Sequence, residues 1–152
     1  MPLRDKAIDV IDIAVDDEGK PIAKELRIKR LGEAYSYLLT DEARKKYKWV
    51  FIDSLSEINQ SLVAQLQTEF PERKDSLVLY GELAKRMRSL VMSFRDLPSY
   101  NVVFTALSEI DKAENAQRFT TVSLVGSFAA KLPAFFDEVF YYTVIPDPEN
   151  VG

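Results

Sequence analysis

The sequence predicts an α/β fold: a mostly parallel sheet with helices on both faces and antiparallel additions near the C-terminus. Three observations predict it. Two short apolar runs, at 49–52 and 101–107, are continuous rather than alternating, as in strands buried on both faces. Amphipathic stretches long enough for helices lie before and between them. After residue 117 the extended segments follow one another with little helix between, which suits antiparallel neighbours.

Taken in order, Ile8-Asp9-Val10-Ile11-Asp12-Ile13-Ala14-Val15 is apolar and rich in β-branched residues, so a strand is expected. Asp16-Asp17-Glu18-Gly19-Lys20-Pro21 follows as a turn, and Pro21 disfavours helical geometry at Lys20. From Leu31 to about Lys46 the spacing predicts a helix with Leu31, Ala34, Tyr35, Leu38 and Leu39 on one face. Thr40-Asp41-Glu42 can cap a second short turn that carries Arg44, Lys45, Lys46 and Lys48.

Trp49-Val50-Phe51-Ile52 is then a central strand, and Ser54 or Ser56 caps a helix that buries Leu55, Ile58, Leu62 and Leu66. A break at 70–75 precedes a longer helix from about Ser76 to Asp96, with Leu79, Leu83, Met87, Leu90 and Phe94 as its apolar stripe. Residues 101–107 form the next buried strand, 108–117 a mobile loop, 119–125 an extended segment, 126–136 a short helix and 137–144 a last strand. One domain over 1–145 with a tail at 146–152 is expected from the length of 152 residues.

Composition narrows the chemistry. The chain has neither cysteine nor histidine, which removes disulfides, thiolate nucleophiles, the commonest general base and the commonest metal ligand. Catalysis would rest on carboxylates, hydroxyls, lysines and arginines, with a hard cation held by oxygen. A net charge of −4 gives no overall basic footprint for nucleic acid, although a local patch is compatible with it. No apolar run reaches membrane-span length and the first residues carry no apolar signal region, so a soluble cytoplasmic protein without membrane contact is expected.

The segment with a mechanism is Lys48-Trp49-Val50-Phe51-Ile52-Asp53-Ser54-Leu55-Ser56-Glu57-Ile58. It places Asp53 where an apolar strand ends, the side of an open α/β sheet at which ligands collect. A carboxylate there can hold hydrated magnesium, as a Walker B aspartate does, and Glu57 one turn on can orient or deprotonate a water. On spacing alone the plainer reading is favoured, an aspartate that helps Ser54 and Ser56 cap the next helix.

This segment resembles the Walker B region of RecA-like ATPases, and further matches follow in order. They are Tyr80-Gly81-Glu82-Leu83, Asn101-Val102-Val103-Phe104-Thr105-Ala106, Val125-Gly126-Ser127-Phe128-Ala129-Ala130-Lys131-Leu132-Pro133 and Phe136-Asp137-Glu138-Val139. Together, over roughly residues 30–144, the set is similar to the phage-encoded nucleotide-binding ATPases, relatives of RecA that act in recombination. The resemblance implies a RecA-like core that binds ATP and Mg2+, with Asp53 holding the metal, Ser54 supporting it, Glu57 as a catalytic base, and Ser108 or Glu109 sensing the γ-phosphate.

Two departures qualify it. The family's Gly-x-x-x-x-Gly-Lys-Ser/Thr loop, whose backbone N–H groups cradle the phosphates, has no counterpart in the sequence; Gly19-Lys20-Pro21 lacks both the earlier glycine and the hydroxyl. The position after Thr105-Ala106, usually polar in the family, is Leu107. The expectation is therefore a RecA-like core without its N-terminal P-loop unit, binding ATP weakly unless the loop is supplied elsewhere, either as a piece of a longer enzyme or as a non-hydrolysing relative. The alternative is a non-catalytic module for a protein partner or single-stranded DNA on the same fold.

Other features have two readings each. Lys85, Arg88 and Arg95 lie along one side of the long helix and can track the phosphates of single-stranded DNA, or form a solvated helix face. The stretch 108–121 occupies the place of a DNA-contacting loop in the resembled family, yet its charges are mixed. Phe135, Phe136, Phe140, Tyr141 and Tyr142 read as core, or as a subunit interface in a homo-oligomer or with a recombination partner. Lys131 reaching a neighbouring subunit's nucleotide is an implication of the resemblance alone. Asp9, Asp12, Asp16, Asp17 and Glu18 read as solvated turn acids, since their spacing is not that of a calcium loop.

Overall fold

A computed structural model describes residues 8–73, 77–112 and 118–142. Helix α1 (Arg27–Leu38) is followed by α2 (Asp41–Lys46), strand β1 (Trp49–Ile52), α3 (Leu55–Glu69), α4 (Leu77–Arg95), β2 (Asn101–Phe104), β3 (Ser108–Lys112) and β4 (Arg118–Val122). Short 3-10 turns lie at Lys24–Leu26, Pro71–Arg73 and Ala129–Phe135.

The helix boundaries follow local chemistry. Thr40 ends the run after α1 and starts α2, its hydroxyl accepting from the Ala43 N–H. Asp41 and Glu42 sit in the first turn of α2, and Arg44, Lys45 and Lys46 in its last, so both ends complement the helix dipole. Ser54 does for α3 what Thr40 does for α2, accepting from the Glu57 N–H at 3.4 Å. The helix expected from Leu31 begins four residues earlier, at Arg27, after the Lys24–Leu26 turn.

The core lies between α3 and α4. Leu55, Ile58, Leu62 and Leu66 point inward from α3, and Leu79, Leu83, Met87, Val91 and Phe94 from α4. Val91 takes the fully buried place that the periodicity gives to Leu90, which is only partly buried. Leu124, Phe128 and Leu132 fold back onto this core from the C-terminal side. Gly126, at φ 96°, makes the bend that lets them do so.

β1 and β2 pair in parallel, Trp49 opposite Asn101 through Ile52 opposite Phe104. The α3–α4 pair forms the crossover that parallel neighbours need. β3 and β4 form a separate antiparallel ladder, Ser108 opposite Val122 through Lys112 opposite Arg118. The fold is thus mixed α/β with a parallel pair and antiparallel additions near the C-terminus. Among the described residues no helix is long and apolar enough to cross a membrane.

Several expectations are corrected. Residues 8–15 form no strand: the Asp12 carboxylate accepts from the Ala14 N–H and turns the chain locally, and only Val15 makes a β-bridge, to Pro21. The turn at 16–21 forms as expected, with the Gly19 N–H donating to the Asp16 carbonyl at 3.0 Å. β1 is not buried continuously, since Trp49 is 58% and Phe51 66% exposed while Ile52 is buried. The expected loop at 108–117 begins with strand β3, because Thr120, Thr121 and Val122 offer a β-branched partner to it. Of the strand expected at 137–144, residues 137–142 have no ladder partner among the described residues, and Phe140, Tyr141 and Tyr142 are exposed rather than core; 143 and 144 lie outside the described residues. The tail at 146–152 and residues 113–117 lie outside the described residues.

Arg86 ties the two core helices together. It donates to both Glu69 carboxylate oxygens, at 3.0 and 2.7 Å, and to Glu82 one turn earlier at 3.1 Å. The hydrogen bonds from Arg86 hold the Glu69 carboxyl below its usual range, against a smaller opposing effect of burial. A depressed carboxylate adds stability above its unfolded pKa and loses it as pH falls through the folded value. We expect the stability of Glu69→Gln, measured by urea unfolding between pH 6 and pH 3, to fall less steeply with acidification than wild type, by up to about 1 kcal/mol because the pair is partly exposed. Gly126→Ala should cost on the order of 1 kcal/mol in the same assay through the left-handed backbone alone, since the new Cβ would meet Leu83 at an ordinary 3.7 Å.

Candidate functional site

Asp53 stands immediately after β1, and the register that pairs Ile52 with Phe104 brings Thr105 beside it. The Thr105 hydroxyl donates to Asp53 Oδ1. Backbone bonds hold the two strand ends together on either side: the Thr105 N–H donates to the Ile52 carbonyl at 3.0 Å, and the Leu55 N–H donates to the Thr105 carbonyl at 2.8 Å. The Asp53–Ser54 peptide is cis. Two residues further, the buried Ser56 hydroxyl accepts from the Leu107 N–H at 3.0 Å. The chain leaving β2 is therefore fixed to the start of α3, and the Asp53 carboxylate stands exposed at the carboxyl end of a parallel pair.

Glu57 lies in the first turn of α3 and is exposed. Its Oε2 is 3.9 Å from Arg27 Nη1, and Arg27 is itself held by a bond from Nε to the Ile22 carbonyl at 3.1 Å. The structure thus sets Glu57 in the first turn of α3, four residues after Asp53, with a mostly buried arginine alongside Glu57. Ser54 is committed as the cap of α3.

Ser108 and Glu109 stand elsewhere in the bonding scheme. Both belong to β3, where Ser108 pairs with Val122, and the Glu109 carboxylate accepts from the Ser123 hydroxyl at 3.1 Å. Leu107, which departs from the resembled family, is exposed and uses its backbone to accept from the Ser123 N–H at 2.8 Å. Thr105 is the polar residue that faces Asp53, and sequence reasoning passed over it. Counting the parallel register one pair beyond Ile52 and Phe104 would have found it. Nothing in the periodicity singles out Arg27.

The three basic residues of α4 do not share one environment. Lys85 is free in solvent apart from Glu82 at 3.8 Å. The Arg88 guanidinium lies over the Phe135 ring, 5.5 Å from its centroid. Arg95 grips Asp96 with two bonds, at 2.7 and 3.0 Å, and reaches the Phe135 carbonyl at 3.5 Å. Arg88 and Arg95 both anchor the Ala129–Phe135 turn. Lys131 on that turn is exposed.

An aspartate at a strand end, oriented by a hydroxyl from the neighbouring parallel strand and followed by a helix, can carry a hydrated divalent ion. Magnesium asks for just one or two carboxylates beside its waters and the phosphates it bridges. Among the described residues no three acidic side chains cluster as a self-sufficient metal cage, so phosphate oxygens and waters would have to fill the remaining positions. The residues present fit the metal-facing half of a nucleotide site. No curated protein and no solved structure matches the chain. Residues 4–150 match the AAA domain family, and the chain belongs to that family of P-loop nucleoside triphosphatases.

Proposed function

We propose that the chain supplies the magnesium-facing half of an ATP site in a RecA-like ATPase of phage DNA recombination or replication, and that it binds nucleotide weakly by itself. The observation that carries this reading is the Asp53–Thr105 pair at the carboxyl ends of two parallel strands. In it Asp53 would hold the ion through water, Thr105 fixes the carboxylate rotamer, and Glu57 would accept the proton of a water that attacks the γ-phosphorus as ADP leaves. Bound magnesium would neutralise charge on the phosphates. Arg27, 3.9 Å from Glu57, pairs with that carboxylate and restrains where it points.

Weak binding follows from charge. A nucleoside triphosphate brings several negative charges to a site whose nearest groups are Asp53 and Glu57, and no Gly-x-x-x-x-Gly-Lys loop in the sequence offsets them. Arg27 is one cation against two carboxylates. The recombination role and single-stranded DNA as partner rest on the resemblance. For DNA, Lys85 is the basic residue of α4 left open to a phosphate, because Arg88 and Arg95 are engaged with Phe135 and Asp96.

The test is a titration of the isotope-labelled chain with ATP, with and without Mg2+, read by NMR chemical shifts. Binding on the order of 1 mM or weaker is expected. It should be Mg2+-dependent, move the amides of Asp53, Glu57 and Thr105 together, vanish in Asp53→Ala and weaken in Thr105→Val. Shifts centred elsewhere, or unchanged by Asp53→Ala, would sink the proposal.

A further inference from the structure

Arg27 carries more hydrogen-bonding capacity than the chain uses. It opens α1, and its side chain is only 19% exposed. Its Nε donates to the Ile22 carbonyl at 3.1 Å, and Ile22 is itself fixed by its N–H bond to the Ala14 carbonyl at 2.7 Å. Nη1 and Nη2 meet no hydrogen-bond acceptor among the described residues, because Glu57 at 3.9 Å is a charge contact too long for a hydrogen bond. Other arginines of this fold are used more fully. Arg86, at 28% exposure, spends Nε, Nη1 and Nη2 on the carboxylates of Glu82 and Glu69. Arg30 gives Nε to the Asp12 carbonyl and Nη2 to Asp17.

The unused fork stands at the head of α3. Glu57, which it approaches, lies in the first turn of that helix, four residues after Asp53. Lys24 is the other cation on this side, and it lies one turn further along, where its Nζ donates to Gln60 Oε1 at 2.8 Å. Arg27 therefore contacts the turn that follows Asp53, and Lys24 the next.

The Arg27–Glu57 pair is weak in the form it takes. Glu57 is half exposed and the contact runs through one nitrogen, so solvent screens most of it. An arginine fork on a phosphate makes two charge-assisted bonds. Phosphate oxygens at the site would thus outcompete the Glu57 carboxylate for the same guanidinium. Differential affinity of this kind is what a ligand-driven rearrangement requires.

We propose that Arg27 is a phosphate-binding residue held in reserve on Glu57. When nucleotide enters, the guanidinium pivots on its Nε–Ile22 bond and turns Nη1 and Nη2 from Glu57 to the oxygens of the terminal phosphate. Glu57 is left unpaired and faces water. The inference rests on the nucleotide reading above and adds to it a residue that selects triphosphate over diphosphate.

The test compares Mg2+-ATP with Mg2+-ADP by NMR titration of the full chain, with the Arg27 Nε–H as a reporter. That signal should shift with ATP and persist through the titration. Arg27→Gln should weaken ATP binding by at least about threefold and ADP binding by less, and Arg27→Lys should recover part of the loss. Lys24→Ala should leave the ratio of the two affinities unchanged. Glu57→Gln, at a half-exposed position, should tighten ATP binding by about threefold or more, because it frees the fork and removes a negative charge. That gain should shrink in Arg27→Gln/Glu57→Gln.

Equal weakening toward ATP and ADP in Arg27→Gln would make the residue structural and overturn the proposal. So would a Glu57→Gln variant that binds ATP no better than wild type, or a gain that survives undiminished without Arg27. Binding that is indifferent to Asp53→Ala would overturn the nucleotide reading itself. Binding abolished by Asp53→Ala yet untouched by the Arg27 changes would remove the assignment of Arg27 alone.

Discussion

The site depends on how the ends of two parallel strands are fastened. Thr105 donates its N–H to Ile52, accepts at its carbonyl from Leu55 and offers its hydroxyl to Asp53. One residue thereby satisfies backbone groups on both sides of the β1–α3 junction, where a strand has ended and a helix has not yet closed its own bonds. Ser56 extends the fastening by accepting from Leu107. Asn59, buried at 1% exposure, does the same one turn further: its side chain accepts from the Val125 N–H at 2.8 Å and donates to the Val125 carbonyl at 3.4 Å. Two polar residues on one face of α3, Ser56 and Asn59, thus hold the chain after β2 and the bend at Val125, and with Thr105 they leave the exposed Asp53 beside neighbours that are not free to move.

The buried polar residues explain an otherwise odd feature of α3. A helix in the centre of a small core would be expected to present apolar residues alone, yet Ser56, Asn59 and Ser61 are buried with Leu55, Ile58 and Leu62. Each polar group has a partner: Ser61 donates to the Glu57 carbonyl one turn back at 3.0 Å. An unpaired amide in that position would cost about 1–3 kcal/mol, so the helix carries polar residues because the passing backbone needs them. Charge is used in the same way on α4. Arg86 joins α4 to the end of α3, and Arg88 and Arg95 hold the C-terminal turn, which leaves Lys85 as the more solvated cation.

What the sequence made legible was whatever a single element decides by itself. The four residues of β1, the Ser54 cap, the inward faces of α3 and α4 and the position of Asp53 all follow from local period and capping chemistry. What required a partner was lost. Residues 8–15 and 137–142 have strand composition but no neighbouring strand among the described residues, and composition cannot supply one. Residues 108–112 look polar and loop-like, and become a strand because Thr120 to Val122 come alongside. The site shows the same division. Asp53 and Glu57 are read from one segment, whereas Thr105 and Arg27 reach them from 52 and 30 positions away in the chain and carry no local mark.

These two kinds of unfinished structure are related. Asp53 faces outward from the carboxyl end of β1 with the Thr105 hydroxyl to orient it, and Trp49 and Phe51 face outward from the strand's length with no layer over them among the described residues. A two-stranded parallel pair presents four unmet demands: two faces and two edges. Helices α3 and α4 meet one of them from within the described chain. A phosphate-binding loop would bring backbone N–H groups and positive charge to the carboxyl ends of the strands, and would do nothing for Trp49. The two needs are chemically orthogonal, so one added segment cannot answer both.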